Sequence, residues 1–203
     1  MKLYDSKMAP NPRRTRIFLA EKGVSVPTEQ VDMMKMEQRT AAFTALNPLQ
    51  RMPVLVLDDG TVIAESLAIC RYFDALHPEP PLFGVGAKEI GLVEMWSRRV
   101  ENNFFATVAA VFRHLHPAMK DLEVPQVPAW AEANRPRVTQ FLELLDQQLS
   151  QHEFIAGDRF SVADITALCT VDFMKPARLI VPEGAANVKR WHAAVSARPS
   201  AKA

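Results

Sequence analysis

The chain has only two cysteines, a net charge of +1 and no long apolar run. Cys70 and Cys169 each stand alone inside an apolar helical pattern, outside any C-x-x-C or metal-ligand spacing, so they read as buried thiols and not as a redox pair or metal site. The near-neutral balance argues against nucleic acid or an anionic membrane as a general partner. Any bound anion therefore needs a local site. No stretch approaches the ~18 apolar residues of a membrane span. The N-terminal MKLYDSKMAPNPRRTR has no apolar core ahead of its charges, unlike a secretory signal. Repeats and low-complexity segments are also missing. These absences predict a cytoplasmic, metal-free protein.

What is present reads as two compact units of roughly 80 and 120 residues. In the first, "KLYD" reads as a strand. Asn11 and Pro12 then form a helix start, with Asn as N-cap and Pro at the first helical position, and the helix stops at Gly23. "VSVPTEQVDM" reads as a second strand and "EQRTAAFTALN" as a short helix ended by Asn47-Pro48. "PVLVLDDGTVIAES" has the pattern of a hairpin with Asp59-Gly60 as its two-residue turn, and "SLAICRYFDALH" that of a helix. The order β-α-β-α-β-β-α predicts an α/β thioredoxin-like domain over residues 1–77. Residues 78–87, "PEPPLFGVGA", read as a linker. Residues 88–203 are helical in pattern throughout, with Trp96, Val100, Phe104 and Val108 at helical spacing, and predict an all-α bundle.

One detail conflicts with ordinary helix electrostatics. "MAPNPRRTR" puts Arg13, Arg14 and Arg16 at a helix N-terminus, which already carries a partial positive charge. Either these arginines point into water or an anion is held there.

"NPLQRMPVLVLDDGTVIAES", residues 47–66, resembles the glutathione transferase family's pattern of Asn-Pro, a basic residue, an apolar residue, Pro, a hairpin and Glu-Ser. "FIAGDRFSVADI", residues 154–165, resembles its capping segment, with Ser161 and Asp164 as a capping box of structural value, and "WHAAVSARPS" resembles its C-terminal helix. The resemblance runs across nearly the whole chain. It implies glutathione as co-substrate, bound by the backbone of Met52 before a cis Pro53, by Glu65 and Ser66 at the γ-glutamyl end, and by Arg51, with Arg39 as a possible helper, at the glycyl carboxylate.

The family's Tyr, Ser or Cys at the start of the first helix has no counterpart here, where Pro10 or Asn11 falls. Ser6 is the nearby hydroxyl, and Tyr4 belongs to the first strand. The thiolate is then expected to be stabilised by Asn11, Arg13 and the free amides of the helix start, with Ser6 as the alternative. A hydrophobic electrophile is expected against Met8, Phe112 and His116. The resemblance also implies a detoxifying homodimer, its third helix meeting the first long helix of the bundle around Arg71, Phe73 and Trp96, and a possible peroxidase side activity. The rival reading is a non-catalytic binding or scaffold protein of the same fold.

Overall fold

The computed structural model describes residues 1–203, which divide into two compact units: Met1–Pro81 together with Pro199–Ala203, and Leu82–Arg198. The expected linker is thus shared between the two units. Its Leu82 and Phe83 are buried.

The first unit contains β1 (Lys2–Asp5), α1 (Pro10–Glu21), β2 (Thr28–Gln30), α2 (Ala41–Leu46), β3 (Val54–Val56), β4 (Val62–Ala64) and α3 (Ser66–Leu76). The sheet order is β2-β1-β3-β4, with β1 parallel to β2 and antiparallel to β3, and β3 antiparallel to β4. This is the thioredoxin-like sheet that the element order predicts. Val54, Leu55, Ile17, Phe18, Ile69 and Phe73 are buried among its core residues. Lys22 closes α1 with a fully buried ammonium that donates to Asp74 (2.6 Å) and to the carbonyls of Pro78 (3.2 Å) and Pro80 (2.6 Å). Three acceptors match the three ammonium protons, so a buried cation is tolerated.

Three local expectations need correction. α1 begins at Pro10 with Ala9 as N-cap, so Asn11 lies inside the first turn and does not cap it. Both prolines fit because the first-turn N–H groups have no intrahelical acceptor anyway. The hairpin turn has three residues, Asp58 to Gly60: Leu57 N–H donates to Thr61 C=O (2.8 Å), Gly60 N–H donates to Leu57 C=O (3.0 Å), and Gly60 takes the φ of +85° such a turn requires. The second strand is confined to Thr28–Gln30, since Pro27 has no N–H to extend the ladder backwards.

The second unit is all helical: α4 (Gly86–Arg99), a wider-wound segment Val100–Phe105, α5 (Ala106–Leu115), α6 (Pro128–Gln151), α7 (Val162–Met174) and α8 (Ala186–Ser196). Trp96, Val100, Phe104 and Val108 are all buried, as their spacing predicts. Phe73 and Trp96 are spent on the cores of their own units, so they do not provide the exposed apolar surface expected for a dimer contact. Leu76, Ile90 and Leu92 are the exposed apolar side chains on α3 and α4.

α7 is pinned at its start by Asp164, whose Oδ2 accepts from the Ser161 N–H and Oγ (3.0 Å each) and whose Oδ1 accepts from Ile155 N–H (3.0 Å) and Trp191 Nε1 (2.8 Å). The capping box is present as its sequence suggests. Burial pushes the Asp164 carboxyl up, against the pull of the Ile155, Trp191 and Ser161 donors.

Candidate functional site

Sheet register decides which residues meet. Tyr4 pairs with Val54 and Val54 with Ala64, so the segments that follow β1, precede β3 and follow β4 leave the sheet at one end. Those segments carry Ser6, Met52-Pro53 and Glu65-Ser66. The chain after β1 turns at once into α1, with Ala9 N–H donating to Ser6 C=O (3.1 Å), which brings the arginine-rich first turns of α1 to the same end.

The three arginines then have three different targets. Arg13 Nη2 donates to the Ala201 carbonyl (3.1 Å), and Arg16 Nη1 donates to the buried Asp5 carboxylate (2.7 Å), which also accepts from Gln30 Nε2 (2.7 Å). Arg14 is only 1% exposed, and its Nη1 donates to Ser66 Oγ (3.1 Å). Arg14 is the residue that sequence reasoning missed. Its partner is 52 positions away, and no local spacing signals such a contact.

Ser66 is the first residue of α3 and is buried; Glu65 before it is exposed and sits at φ 70°, ψ 122°. A left-handed φ in a residue other than glycine is sparsely populated and collects at ligand clamps. Ile69 N–H closes the first helical bond onto Glu65 C=O (3.0 Å). The N–H groups of Ser66, Leu67 and Ala68 therefore have no acceptor within the helix. With the Arg14 guanidinium occupying a lone pair of Ser66 Oγ, the hydroxyl proton is left as a donor. Amides, hydroxyl and guanidinium together suit a carboxylate.

The start of α1 differs. Pro10 and Pro12 have no N–H, and Arg13 N–H is taken by Ala9 C=O (3.3 Å), which leaves Asn11 as the backbone donor of the first turn. The free amides expected at the helix start are thus reduced to one, at Asn11. The Asn11 side-chain Oδ1 is buried with no hydrogen-bond partner. Ser6 is also buried.

Met52-Pro53 is a cis peptide, and Met52 is buried beside Val31, Phe43 and Val54, with Tyr4 packed against the same cluster. Its loop is organised by Asn47, whose Nδ2 donates to Arg51 C=O (2.8 Å) and whose Oδ1 accepts from Leu49 N–H (3.1 Å). Arg51 and Arg39 are exposed; between Met36 and Arg39 it is Gln38 that is buried, with Oε1 unpartnered.

In the first unit Met8 is 93% exposed. In the second, the structure brings Phe112 and His116 together, their rings 4.6 Å apart and stacked, with the tilted Phe173 ring 4.8 Å from Phe112. His116 Nδ1 accepts from Ala118 N–H (3.2 Å) and caps a short turn; His114 Nδ1 accepts from Val127 N–H (3.2 Å). No group of three or more His, Cys, Asp or Glu side chains is arranged to hold a metal ion.

Residues 9–76 match the family model for the glutathione S-transferase N-terminal domain, and residues 105–199 match that for the C-terminal domain. The chain belongs to the glutathione S-transferase family. Glutathione S-transferase 2 of Saccharomyces cerevisiae is 36% identical over 205 residues, covering 100% of this chain and 88% of the relative. The crystal structure of Gtt2 from Saccharomyces cerevisiae superposes with a TM-score of 0.95 at 36% identity, covering 100% of this chain and 99% of that one. A glutathione S-transferase domain-containing protein from Marinobacter aquaeolei gives a TM-score of 0.95 at 41% identity, covering 98% and 99% of the two chains. A relative of another name, the stringent starvation protein A homolog of Coxiella burnetii, is 30% identical over 81% of this transferase-family chain and 71% of its own length.

Proposed function

We infer that this glutathione S-transferase family member binds glutathione at the α1–α3 end of its sheet, stabilises the thiolate and transfers it to a hydrophobic electrophile. The observation that carries this reading is the Arg14–Ser66 contact at the start of α3, beside Glu65 in its left-handed conformation. The γ-glutamyl carboxylate is held by the Ser66 hydroxyl and the first amides of α3, with the Arg14 charge behind them, and the γ-glutamyl ammonium is held by Glu65. The Met52 backbone pairs with the cysteinyl unit, and Arg51 meets the glycyl carboxylate. The sulfur lies against the Asn11 amide and side chain.

Lowering a thiol from about 8.5 by two units takes about 2.7 kcal/mol, within reach of one or two charge-assisted hydrogen bonds in a positive field. The thiol proton leaves to solvent, the thiolate lone pair forms the new S–C bond, and a halide leaving group departs with its bonding pair. A hydroperoxide is a second class of electrophile for the same thiolate.

The enzyme acts as a cytoplasmic homodimer, with Leu76, Ile90 and Leu92 supplying apolar contact. Calorimetric titration of glutathione into wild type, Ser66→Ala and Arg51→Ala, alongside conjugation of 1-chloro-2,4-dinitrobenzene, tests the proposal. Binding weakened in both variants and turnover in wild type are expected. Undiminished affinity in Ser66→Ala sinks the site assignment.

A non-catalytic binding protein of the same fold is the second reading. It is favoured by the absence of a hydroxyl at Pro10 and Asn11, and by the prolines that strip donors from α1. Glutathione binding with no conjugation or peroxidase turnover is its signature.

A further inference from the structure

We propose that Asp5, Arg16 and Gln30 form a positioning network that holds the turn Ser6–Ala9, and with it the Asn11 amide, in register with the glutathione sulfur. The inference rests on the thiolate site proposed above and deepens it.

Asp5 is the last residue of β1, the strand paired with β2 on one side and β3 on the other, and it is 1% exposed. Its C=O accepts from Val31 N–H (2.8 Å), so its backbone is fixed by the sheet. Its carboxylate accepts two side-chain donors, Arg16 Nη1 on Oδ1 (2.7 Å) and Gln30 Nε2 on Oδ2 (2.7 Å). Both of these side chains then reach past Asp5 to the same residue. Gln30 Oε1 accepts from Lys7 N–H (3.2 Å), and Arg16 Nη2 donates to Lys7 C=O (3.4 Å). The main-chain donor and acceptor of Lys7 are thus taken by two side chains that one buried carboxylate holds. Lys7 is exposed, where water would ordinarily satisfy both groups. Burying a carboxylate to fix an exposed turn costs desolvation, and such supporting contacts are used where position matters.

The turn leads directly into the proposed sulfur site. It is closed by Ala9 N–H on Ser6 C=O (3.1 Å), and Ala9 is the N-cap of α1. With Pro10 and Pro12 lacking N–H groups and Arg13 N–H on Ala9 C=O (3.3 Å), Asn11 N–H is the amide that this helix start can offer a thiolate. A single donor has to be aimed well, since hydrogen bonds weaken steeply with misalignment. Arg16 adds a second constraint. It lies on α1 five residues after Asn11, so its bond to Asp5 fixes the roll of the helix against the sheet while its bond to Lys7 fixes the turn. Because Asp5 neutralises Arg16, the network acts through geometry and not through net charge.

The thiol pKa of bound glutathione, followed by thiolate ultraviolet absorbance, is compared in wild type, Arg16→Gln, Arg16→Lys, Gln30→Met and Lys2→Gln. Lys2→Gln is the control, since the Lys2–Glu29 ion pair (2.8 Å) also joins β1 to β2 but from the first residue of the strand. Calorimetry measures the affinity of each for S-methylglutathione, which has no thiol. Arg16→Gln and Gln30→Met are expected to raise the thiol pKa by about 0.7 unit, or about fivefold in ionisation constant. Arg16→Lys keeps a cation opposite Asp5 but not the planar fork that spans two acceptors, so about half that shift is expected. Affinity for S-methylglutathione should stay within about twofold of wild type in all variants. Turnover of 1-chloro-2,4-dinitrobenzene should fall below the wild-type thiol pKa and recover above the raised one, where the thiol is ionised in every variant. Gln30 is exposed, so Gln30→Met folds even where Arg16→Gln, which strips a buried carboxylate of its cation, does not.

A bound thiol equally acidified in wild type and in Gln30→Met overturns the network and leaves the thiolate site standing. A wild-type thiol that titrates like free glutathione overturns both. The proposal also falls if S-methylglutathione affinity drops in step with the pKa shift, if Lys2→Gln shifts the pKa as far as Gln30→Met, or if the turnover deficit persists at high pH. In each case the contacts support the unit as a whole and not the sulfur end.

Discussion

Arg14 in the first unit and Asp164 in the second are both buried charges at the start of a helix, and they are opposite in sign and in origin. Asp164 draws its partners from positions 3, 9 and 27 residues away, beginning with its own capping serine. Arg14 reaches across 52 residues from α1 to the first hydroxyl of α3. The first arrangement holds a helix, and its core motif can be read from spacing. The second joins two helices at the place proposed for the γ-glutamyl carboxylate, and nothing in the nine residues "MAPNPRRTR" says which of the three arginines goes inward. Locally encoded charge thus serves the fold, whereas the charge that serves the site is set by tertiary packing.

The comparison breaks most visibly at Asp164. Asp164→Ala leaves the Ile155, Ser161 and Trp191 donors facing a void, and a loss of about 3–5 kcal/mol is expected, as for other buried charged groups stripped of a partner. Asp164→Asn keeps one carbonyl oxygen but turns an NH₂ toward donors, so it recovers only part of that loss. Urea unfolding followed by tryptophan fluorescence measures both, because Trp191 donates directly to the carboxylate. A cost below about 1 kcal/mol for Asp164→Ala would show that the carboxylate does not hold the helix.

At Arg14 the expected effect is smaller on stability and larger on binding. Arg14→Ala is expected to weaken glutathione binding by about 2–3 kcal/mol, and Ser66→Ala by about 1.4 kcal/mol, or tenfold. The double variant should fall short of the sum, since Arg14 acts partly through the Ser66 hydroxyl. Arg13→Ala breaks the contact to the Ala201 carbonyl and is expected to leave affinity within about threefold. An equal loss at Arg13 and Arg14 would remove the distinction between the inward arginine and its neighbour.

Asp146 provides an intermediate case. It lies on α6 and caps α8: Oδ1 accepts from the Asn187 and Val188 N–H groups (2.8 and 2.9 Å) and Oδ2 from Asn187 Nδ2 (2.9 Å). Burial opposes its ionisation, but the Val188 and Asn187 donors outweigh it and hold the carboxyl below its ordinary range. A depressed folded value means that the unfolded chain takes up the proton first as pH falls. Its stabilisation is complete above the ordinary value near 3.8 and is lost as pH drops through the folded value. Asp146→Ala is expected to cost about 1–2 kcal/mol at pH 7. The difference from wild type should shrink as pH falls below about 4, which chemical denaturation at stepped pH follows.

Element order, the buried cysteines and the 161–164 capping box were legible in the sequence because each depends on neighbours or on a repeating apolar pattern, whereas the Met52-Pro53 cis bond was legible only through the family resemblance. The exit of Ser6, Met52 and Glu65 at one end of the sheet follows from β-register, which the hairpin pattern largely implies. The targets of Arg13, Arg14 and Arg16 did not follow, since they lie at Ala201, Ser66 and Asp5, in segments that fold back from anywhere along the chain. Phe73 and Trp96 were misread for a related reason. Periodicity identifies a large apolar residue but does not say whether its face meets its own core or a second copy.

The smallest expected effect is the most diagnostic for the chemistry. α3 offers three first-turn amides with no acceptor in the helix and α1 offers one, so in the proposed site the sulfur end of glutathione has fewer donors than the γ-glutamyl end. On the proposed reading, the Asn11 amide and carboxamide carry most of the thiolate stabilisation. Asn11→Ala, followed by thiolate ultraviolet absorbance against pH, is expected to raise the bound thiol pKa by about one unit, or 1.4 kcal/mol, and Ser6→Ala by less than about half a unit. Because Ala9 and not Asn11 caps α1, removing the Asn11 side chain takes no capping bond away, and alanine is the better helix former. Stability should then stay within about 0.5 kcal/mol of wild type, so a shifted pKa reports on the sulfur and not on a frayed helix. Asn11→Asp sharpens the point: the shape is kept, the donor is lost and a negative charge is added beside the thiolate, so the pKa should climb beyond that of the alanine variant. If Ser6→Ala raises the pKa by about two units while both Asn11 variants leave it unchanged, the hydroxyl is the activator and the depleted start of α1 is only a way of beginning a helix.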